Sequence, residues 1–206
     1  MASTSASVAG HGQCCSACGQ PLGSWGIDKY TGLLNREGWD VRAMSALGGL
    51  FDRSIALLIL DLDRFKAVND RYGHPAGDAV LRVVAATVAA AVRREDIVGR
   101  YGGDEFMALL VGADQACAKA IAERICGRIR SAVVEVLSAD GSRVVIKGLA
   151  ASVGGVALNL RGGVDLADLF RRADSNLLRA KRFGKDRVLI AGDRGLPRGT
   201  CCARLR

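Results

Sequence analysis

The chain contains 206 residues, enough for one domain with a hydrophobic core of its own. Half of the residues are hydrophobic and only 5% are aromatic, so we expect a globular protein whose core consists mostly of Ala, Val, Leu and Ile. The longest apolar runs, residues 55–60 and 83–92, are much shorter than the roughly 20 residues that cross a bilayer. The N-terminus lacks the charged start and apolar run of a signal peptide, so we predict a cytoplasmic protein without a membrane segment.

The formal net charge of +8 favours anionic partners, although part of it comes from a basic C-terminal tail over residues 192–206. Such a tail is usually solvated, and no stripe of Arg and Lys interleaved with aromatic residues indicates a nucleic-acid face. We therefore expect no nucleic-acid partner.

The first half of the chain begins with an arm and continues into alternating elements. Residues 1–26 are rich in Ser, Ala, Gly and Cys without periodicity, which predicts a flexible or metal-clipped arm. The apolar run 54–63 predicts a buried central strand that ends in two aspartates at alternate positions. A short helix that stops at Gly73 and a second helix over 78–94 are expected to follow.

In the second half, two short strands on either side of the letters GGDE predict a hairpin. A long helix, one or two strands, a further helix and a closing strand are then expected over 113–137, 143–158, 165–182 and 187–191. This order predicts an α/β (α+β) fold, a ferredoxin-like palm in which helices flank a central, mostly antiparallel sheet. The predicted domain spans 27–191.

Two carboxylates are predicted to converge at one edge of this sheet. Asp61 lies at the end of the central strand and Asp104 at the tip of the hairpin, so they meet if the hairpin pairs beside that strand. Repulsion and desolvation then favour a bound cation, and hard oxygen ligands at an open site suit Mg²⁺. A zinc hydrolase would need His ligands, and His11 and His74 are not suitably placed.

Groups that suit phosphate binding surround this point. Lys66 lies one helical turn past the strand, and the backbone N–H groups of Arg64 and Phe65 open a helix, where an anion is favoured. Lys181 and Lys185 are four residues apart and are expected to share one face of a late helix end. Alternatively, these lysines are ordinary surface charges. No G-x-x-x-x-G-K-[ST] sequence is present, which excludes a P-loop enzyme.

Five motifs occur in a characteristic order and spacing: DKYTGLLNR (28–36), DLDRFKAVNDRYGHPAGD (61–78), RYGGDEF (100–106), ASVGG (151–155) and ADSNLLRAKRFGKDRV (173–188). Together they resemble a GGDEF domain of the diguanylate cyclase family over about residues 27–191. The resemblance implies a nucleotidyl-cyclase-like palm that condenses two GTP molecules into cyclic di-GMP and releases two pyrophosphates.

The resemblance also assigns roles to the carboxylates and the basic groups. Asp61, the main-chain carbonyl of Leu62 and Asp104 would hold Mg²⁺ or Mn²⁺. Asp104 would help to deprotonate the attacking 3′-hydroxyl, with Glu105 beside it. The groups that would stabilise the phosphates are Lys66, Lys181, Lys185 and the amides of Arg64 and Phe65.

Asn69, His74 and Asp78 match the positions of the guanine pocket in the family. A carboxylate at Asp78 can accept from the N1–H and N2–H₂ donors of guanine, which adenine does not offer as a pair, so GTP is expected over ATP. Relatives that make mixed products look different at Asp78, so cyclic di-GMP is the expected main product. Without the motif, Asn69 and Asp78 are equally well explained as a helix stop and an N-cap.

A product-binding site is implied by an R-x-x-D pattern five residues before the glycine pair. Arg93 and Asp96 match it, and Arg124 on the neighbouring helix could supply a second guanidinium for the inhibitory product. The pattern alone is weak, because Arg171 and Asp174 match it as well. The alternative is an Arg–Asp ion pair at a helix end.

The sequence departs from the family at Leu178, which replaces an aromatic residue and is expected to be a packing position with little effect. Since each subunit would hold one GTP, synthesis is expected to need a homodimer. The alternative is a catalytically silent module that acts as a receptor for cyclic di-GMP or GTP. However, Asp61, Asp104 and Glu105 are all present, whereas degenerate members usually lose one of these positions.

The cysteines fall into two sets. Cys117 and Cys126 lie on a predicted helix and are expected to be buried packing residues. The terminal cysteines resemble half of a zinc knuckle, and we weigh reduced thiols against a Zn²⁺ site or a disulfide that sets dimerisation. This second set comprises Cys14, Cys15, Cys18, Cys201 and Cys202.

Overall fold

The computed structural model describes residues 26–49, 53–138, 141–160 and 164–192. The helices in these ranges are α1 (Arg36–Gly48), α2 (Phe65–Tyr72), α3 (His74–Ala89), α4 (Gln115–Ser131) and α5 (Leu166–Arg182). The strands are β1 (Ser54–Leu62), β2 (Ile97–Gly102), β3 (Glu105–Val111), β4 (Val134–Leu137), β5 (Arg143–Ile146), β6 (Ala151–Asn159) and β7 (Val188–Gly192). No helix in the described ranges is long and apolar enough to cross a membrane.

The main sheet has the strand order β2-β3-β1-β6-β7, with β1 at its centre. Strand β1 pairs antiparallel with both β3 and β6, and β2 pairs antiparallel with β3, whereas β6 and β7 are parallel. Strands β4 and β5 form a separate two-stranded sheet. The prediction of a palm with a central, mostly antiparallel sheet flanked by helices is therefore confirmed.

Strand β1 is buried on both faces, which explains its unbroken apolar sequence. Leu58 and Leu60 belong to the core that also contains the apolar faces of α3 and α4. Leu57 and Ile59 point the other way, into the core that contains residues of α1 and α5. Since successive strand residues alternate between faces, a strand covered on both sides must be apolar throughout. Because β1 is covered on both faces, the residues at its C-terminal end are held firmly in place.

Helix α5 lies directly against β6 because Gly154 leaves room for it. A methyl group at Gly154 would lie 2.0 Å from the backbone nitrogen of Leu177. The side-chain amide of Asn176, which is buried, donates to the carbonyl oxygen of Gly155 over 2.9 Å. The ASVGG motif thus fixes the distance between α5 and the sheet, and with it the position of the basic residues at the end of α5.

Two helical predictions need correction, and one helix was not predicted. The second helix begins at His74 rather than 78, because Pro75 suits a first helical turn, and it ends at Ala89, before the arginines. The long helix predicted to reach residue 137 ends at Ser131, and β4 follows it. Helix α1, which begins after the side chain of Asn35 caps the amide of Gly38, was not predicted.

Candidate active site

Three carboxylates converge where β1 ends and the β2–β3 hairpin turns. Asp61 pairs with Glu105 across the two strands, and Asp104 lies in the turn immediately before Glu105. The backbone N–H of Leu62 donates to the carbonyl oxygen of Asp104 over 3.3 Å, which ties the turn to the end of β1. Asp61 is only 9% exposed. The structure thus brings together the residues predicted to hold a metal ion.

The environment of these carboxylates disfavours their charged forms. Burial raises the pKa of Asp61, and the negative charges of Asp104 and Asp63 add to this effect. The ammonium of Lys181 opposes it, with Nζ 2.7 Å from Oδ2 of Asp61. Burial likewise raises the pKa of Glu105, and the neighbouring Asp61 adds to it. The site holds more negative charge than Lys181 alone balances.

The donor atoms fit a hard divalent cation. The carboxylates of Asp61 and Asp104 and the main chain of Leu62 offer oxygen ligands only. Among the described residues, no group of three or more His, Cys, Asp or Glu side chains is arranged to hold a metal ion. An ion here would therefore complete its coordination with water and substrate phosphates, as Mg²⁺ commonly does.

A half-buried ion pair supports the hairpin tip, and sequence reasoning missed it. Arg100 donates through Nε and Nη2 to the carbonyl oxygen of Gly103, at 2.9 and 2.7 Å, and its Nη1 lies 3.2 Å from Oδ1 of Asp28. Gly103 has a φ of 50°, a conformation that favours glycine. Burial alone would raise the pKa of Asp28, but hydrogen bonds from Thr31 and the guanidinium of Arg100 outweigh it and lower that pKa. Both partners lie in motifs that had already been singled out.

The start of α2 lies beside the carboxylates. Arg64 precedes the helix in a left-handed conformation, with φ of 60°, and the helix begins at Phe65. The amides of Arg64 and Phe65 therefore lie at the N-terminus of α2, as predicted from the sequence. Lys66 is exposed in the first turn and makes no ion pair within the described residues.

The two late lysines do not share a helix face, and that prediction is wrong. Lys181 lies in the last turn of α5, where it reaches Asp61. The helix ends at Arg182, and Lys185 lies beyond it in a left-handed conformation, with φ of 64°. Gly184, Lys185 and Asp186 all have positive φ, so the chain does not continue as a helix there. Lys185 therefore approaches the site from a loop.

Asp63 orders this loop and was not assigned a role from the sequence. Its carboxylate accepts from Oγ of Ser152 at 2.9 Å and from the backbone N–H of Asp186 at 2.8 Å. Asp186 is also left-handed, with φ of 45°, so the contact to Asp63 helps to hold a strained segment. The sequence does contain a signal for Asp63, because it is the second of two aspartates at alternate positions at the end of β1.

The predicted guanine-binding residues lie along the contact between α2 and α3. A methyl group at Gly77 would lie 1.9 Å from Oδ1 of Asn69, so this glycine lets the two helices meet there. His74 is exposed at the start of α3. Asp78 is partly buried, and its carboxylate makes no hydrogen bond or ion pair within the described residues. The helix-stop and N-cap alternatives are wrong, because α2 continues to Tyr72 and α3 begins at His74.

Arg93 and Asp96 line a cavity of about 460 Å³ that also includes Arg42 of α1. The carboxylate of Asp96 accepts from the backbone amides of Arg93 at 2.8 Å and Val111 at 2.9 Å, so it shapes the turn after α3. Nη2 of Arg124 donates to the carbonyl oxygen of Ala91 over 2.5 Å, close to this turn. The three residues predicted to bind product thus lie in one region.

Two further predictions concern packing. Cys117 and Cys126 are buried in α4, and burial raises the pKa of Cys126 to about 12. Leu178 is 47% exposed on α5, so the expectation that it is a packing position is wrong. The terminal cysteines predicted to bind Zn²⁺ or form a disulfide lie outside the described residues, as do almost all of the arm and the tail.

The family model for the diguanylate cyclase GGDEF domain matches residues 26–187. The chain belongs to the GGDEF diguanylate cyclase family. The chain is 39% identical over 168 residues to diguanylate cyclase DgcM of Escherichia coli K12, covering 80% of this chain and 38% of DgcM. It is 36% identical over 173 residues to diguanylate cyclase DosC of the same strain, covering 79% of this chain and 34% of DosC. This GGDEF chain thus spans less than two fifths of the length of either relative.

Solved structures of GGDEF proteins have the same fold. The coiled coil and GGDEF domain of DgcB from Caulobacter crescentus, solved in complex with c-di-GMP, has a TM-score of 0.74 and 27% identity over 82% of this chain and 86% of that one. Diguanylate cyclase SiaD from Pseudomonas aeruginosa, in complex with its activator SiaC, has a TM-score of 0.71 and 34% identity over 80% of this chain and 61% of that one.

Proposed function

We propose that the chain is a diguanylate cyclase that acts as a homodimer and condenses two GTP molecules into cyclic di-GMP. The observation that carries the proposal is the meeting of Asp61, Asp104 and Glu105 at one sheet edge, with Lys181 2.7 Å from Asp61. Degenerate GGDEF modules would not need all three carboxylates. Their mutual repulsion is a cost that a substrate-bound divalent cation would offset.

In the proposed reaction, the 3′-oxygen of one GTP attacks the α-phosphorus of the other, and the bond from that phosphorus to the bridging oxygen breaks. Pyrophosphate leaves with the electron pair. Asp104, with Glu105 beside it, accepts the proton of the attacking hydroxyl, and Lys66 and Lys181 neutralise charge on the phosphates. A Mg²⁺ or Mn²⁺ ion held by Asp61, Asp104 and the carbonyl of Leu62 would polarise the phosphate that is attacked.

Residues at the contact between α2 and α3 would select the base of the substrate nucleotide. The carboxylate of Asp78, which has no partner among the described residues, supplies acceptors for the two neighbouring donors of guanine. The Asn69 amide, held against Gly77, can both donate and accept. Adenine lacks the matching pair of donors. Bound ATP would therefore leave the partly buried Asp78 carboxylate without hydrogen bonds from the base.

The homodimer follows from the proposed reaction. Within the described residues, Asp61, Asp104 and Glu105 meet at one place in the domain, which would therefore bind one GTP. Two sites must therefore face each other for both ester bonds to form. The cavity beside Arg93 and Asp96 would hold product and inhibit the enzyme, with Arg124 as a second cationic contact.

The test is incubation of the protein with GTP and Mg²⁺, followed by chromatographic identification of the product. We expect cyclic di-GMP and pyrophosphate from the wild type and no product from Asp104→Ala, which circular dichroism should show to be folded. Glu123→Ala, which removes an exposed carboxylate on α4, is the matched control and should keep full activity. Turnover by Asp104→Ala would contradict the proposed role of Asp104.

The second candidate, a silent receptor for cyclic di-GMP, is favoured by the separation of the Arg93 cavity from the carboxylates. A receptor would bind cyclic di-GMP through Arg93 while a verified dimer produces none from GTP. Binding that persists in Asp104→Ala and is lost in Arg93→Ala, combined with absent turnover in the wild type, would favour the receptor over the cyclase.

A further inference from the structure

A second open cavity of about 460 Å³ lies beside the carboxylate site. It is bounded by one side of α2, by the segment that joins β5 to β6 and by the loop between α5 and β7. Its charged lining residues are mostly basic, namely Arg64, Arg71, Lys147 and Lys185, against Asp63 and Asp186. We call it the basic cavity.

The two acidic residues of the basic cavity are already engaged by other groups. Asp63 accepts from Ser152 and from the backbone of Asp186. The carboxylate of Asp186 accepts from Nη2 and Nε of Arg130, at 2.8 and 3.0 Å. Within the described residues, Lys147 makes no ion pair. The field in the cavity is therefore positive, and its unpaired donors suit an anion.

The walls of the basic cavity are fixed by packing. Ile146 and Leu149 are buried on one side, and α2 forms the other. The hydroxyl of Ser138 donates to the carbonyl oxygen of Tyr72 over 3.4 Å, which ties the end of α2 to the segment after β4. The guanidinium of Arg71 lies 5.0 Å from the ring centroid of Tyr72, an arrangement that orients it at the cavity.

We propose that the basic cavity binds the pyrophosphate that leaves during the reaction. The inference rests on the proposed function, and the basic cavity extends the set of groups assigned to the substrate phosphates. Arg64 and Lys185 belong to both, whereas Arg71 and Lys147 lie only in the basic cavity. After the bond to the α-phosphorus breaks, the pyrophosphate carries the electron pair and a higher negative charge. A continuous series of cations gives this small polyanion a place to move away from the new ester bond.

The inference is tested by isothermal titration of the whole protein with inorganic pyrophosphate, without GTP, so that no turnover is needed. The titration compares the wild type with the double variant Arg71→Ala/Lys147→Ala. The charge-matched control is Lys119→Ala/Arg171→Ala, because these two side chains are exposed on α4 and α5. We expect Arg71→Ala/Lys147→Ala to bind pyrophosphate roughly tenfold more weakly, as the loss of two partly exposed charge contacts implies, and the control to bind like the wild type. Circular dichroism of each variant checks folding.

A second titration uses 3′-deoxy-GTP, which lacks the attacking hydroxyl and so cannot be joined. Its affinity should be the same in Arg71→Ala/Lys147→Ala and in the wild type, because Arg71 and Lys147 would contact the product and not the bound substrate. Unchanged pyrophosphate binding in that variant, or an equal loss in the control, would overturn the inference. An equal loss for 3′-deoxy-GTP would do so too, since the two residues would then belong to the substrate site. Absence of cyclic di-GMP synthesis would instead count against the proposed function, because these titrations need no turnover.

Discussion

Asp78 is the residue through which the domain would distinguish guanine from adenine. We expect Asp78→Asn to lose about 1–3 kcal/mol of selectivity for guanine, as for a bidentate base contact, because an amide replaces one acceptor by a donor that faces the donors of the base. The measurement is the ratio of the dissociation constants of 3′-deoxy-GTP and 3′-deoxy-ATP. Asp70→Asn, an exposed change on α2, is the control. An unchanged ratio in Asp78→Asn would show that the base is recognised elsewhere.

Asp28 gives a prediction for the pH dependence of stability. Its pKa is lowered from 3.8 in the folded state, so its ionised form stabilises the fold at neutral pH. This stabilisation is present above the ordinary pKa and is lost as the pH falls through the lower folded value. We expect Asp28→Asn to reduce the free energy of unfolding by about 1–3 kcal/mol at pH 7, because the partly buried Arg100 loses its partner.

The measurement is urea unfolding of wild type and Asp28→Asn at pH 7 and near pH 3. The difference between the two proteins should narrow at the lower pH, which lies below the ordinary pKa of 3.8, because the stabilisation by the ionised carboxylate is then being lost. A constant difference at both pH values would mean that the lost contact is not charge-dependent.

The sequence predicted the carboxylates of the site better than it predicted the residues that hold the site in place. Asp61 and Asp104 could be paired because a strand end and a hairpin tip are local features that the apolar pattern locates. The contacts of Asp63 and Arg100 join segments far apart in the chain, and no local pattern indicates them. The exposure of Leu178 depends on how α5 is rotated against β6, which the packing at Gly154 decides.

At the scale of elements, the contact between α5 and β6 controls where Lys181 lies. We expect Gly154→Ala to lower the free energy of unfolding by about 1–3 kcal/mol, because the added methyl group would overlap backbone atoms that cannot rotate away. Urea unfolding measures this loss. Gly48→Ala is the matched control, since no atom lies within 4 Å of a methyl group there, and it should not destabilise the fold. Equal stability of Gly154→Ala and wild type would mean that α5 does not depend on this contact.

The elements that the sequence failed to predict have identifiable causes. Residues 113–137 read as one helix because the pattern of α4 runs into the apolar residues of β4 without a Gly or Pro between them. The chain leaves the helix at Ala132, which is extended, and β4 then pairs with β5. That pairing is a tertiary contact, and it outweighs the helical pattern. Helix α1 was missed although Asn35 is a good N-cap residue.

At the scale of the whole molecule, the proposed reaction needs two chains. We expect the activity per mole of protein to rise with protein concentration until the dimer is saturated, and light scattering should show the matching increase in mass. If the N-terminal cysteines set dimerisation, then replacing Cys14, Cys15 and Cys18 by Ser should move this transition to higher concentration. The same transition in both proteins, with and without chelator, would rule out a role for these cysteines.

The contact from Asp63 to the backbone of Asp186 spans 123 positions of the chain. On the ribosome, the end of β1 is therefore made long before the loop that it orders. Until Asp186 has emerged, the loop that contains Lys185 lacks its anchor to Asp63. A truncated nascent chain would hold the carboxylates and Lys66 without Lys181 and Lys185. In the proposed reaction, the full set of phosphate-binding groups would therefore exist only after α5 and the loop that follows it have been made.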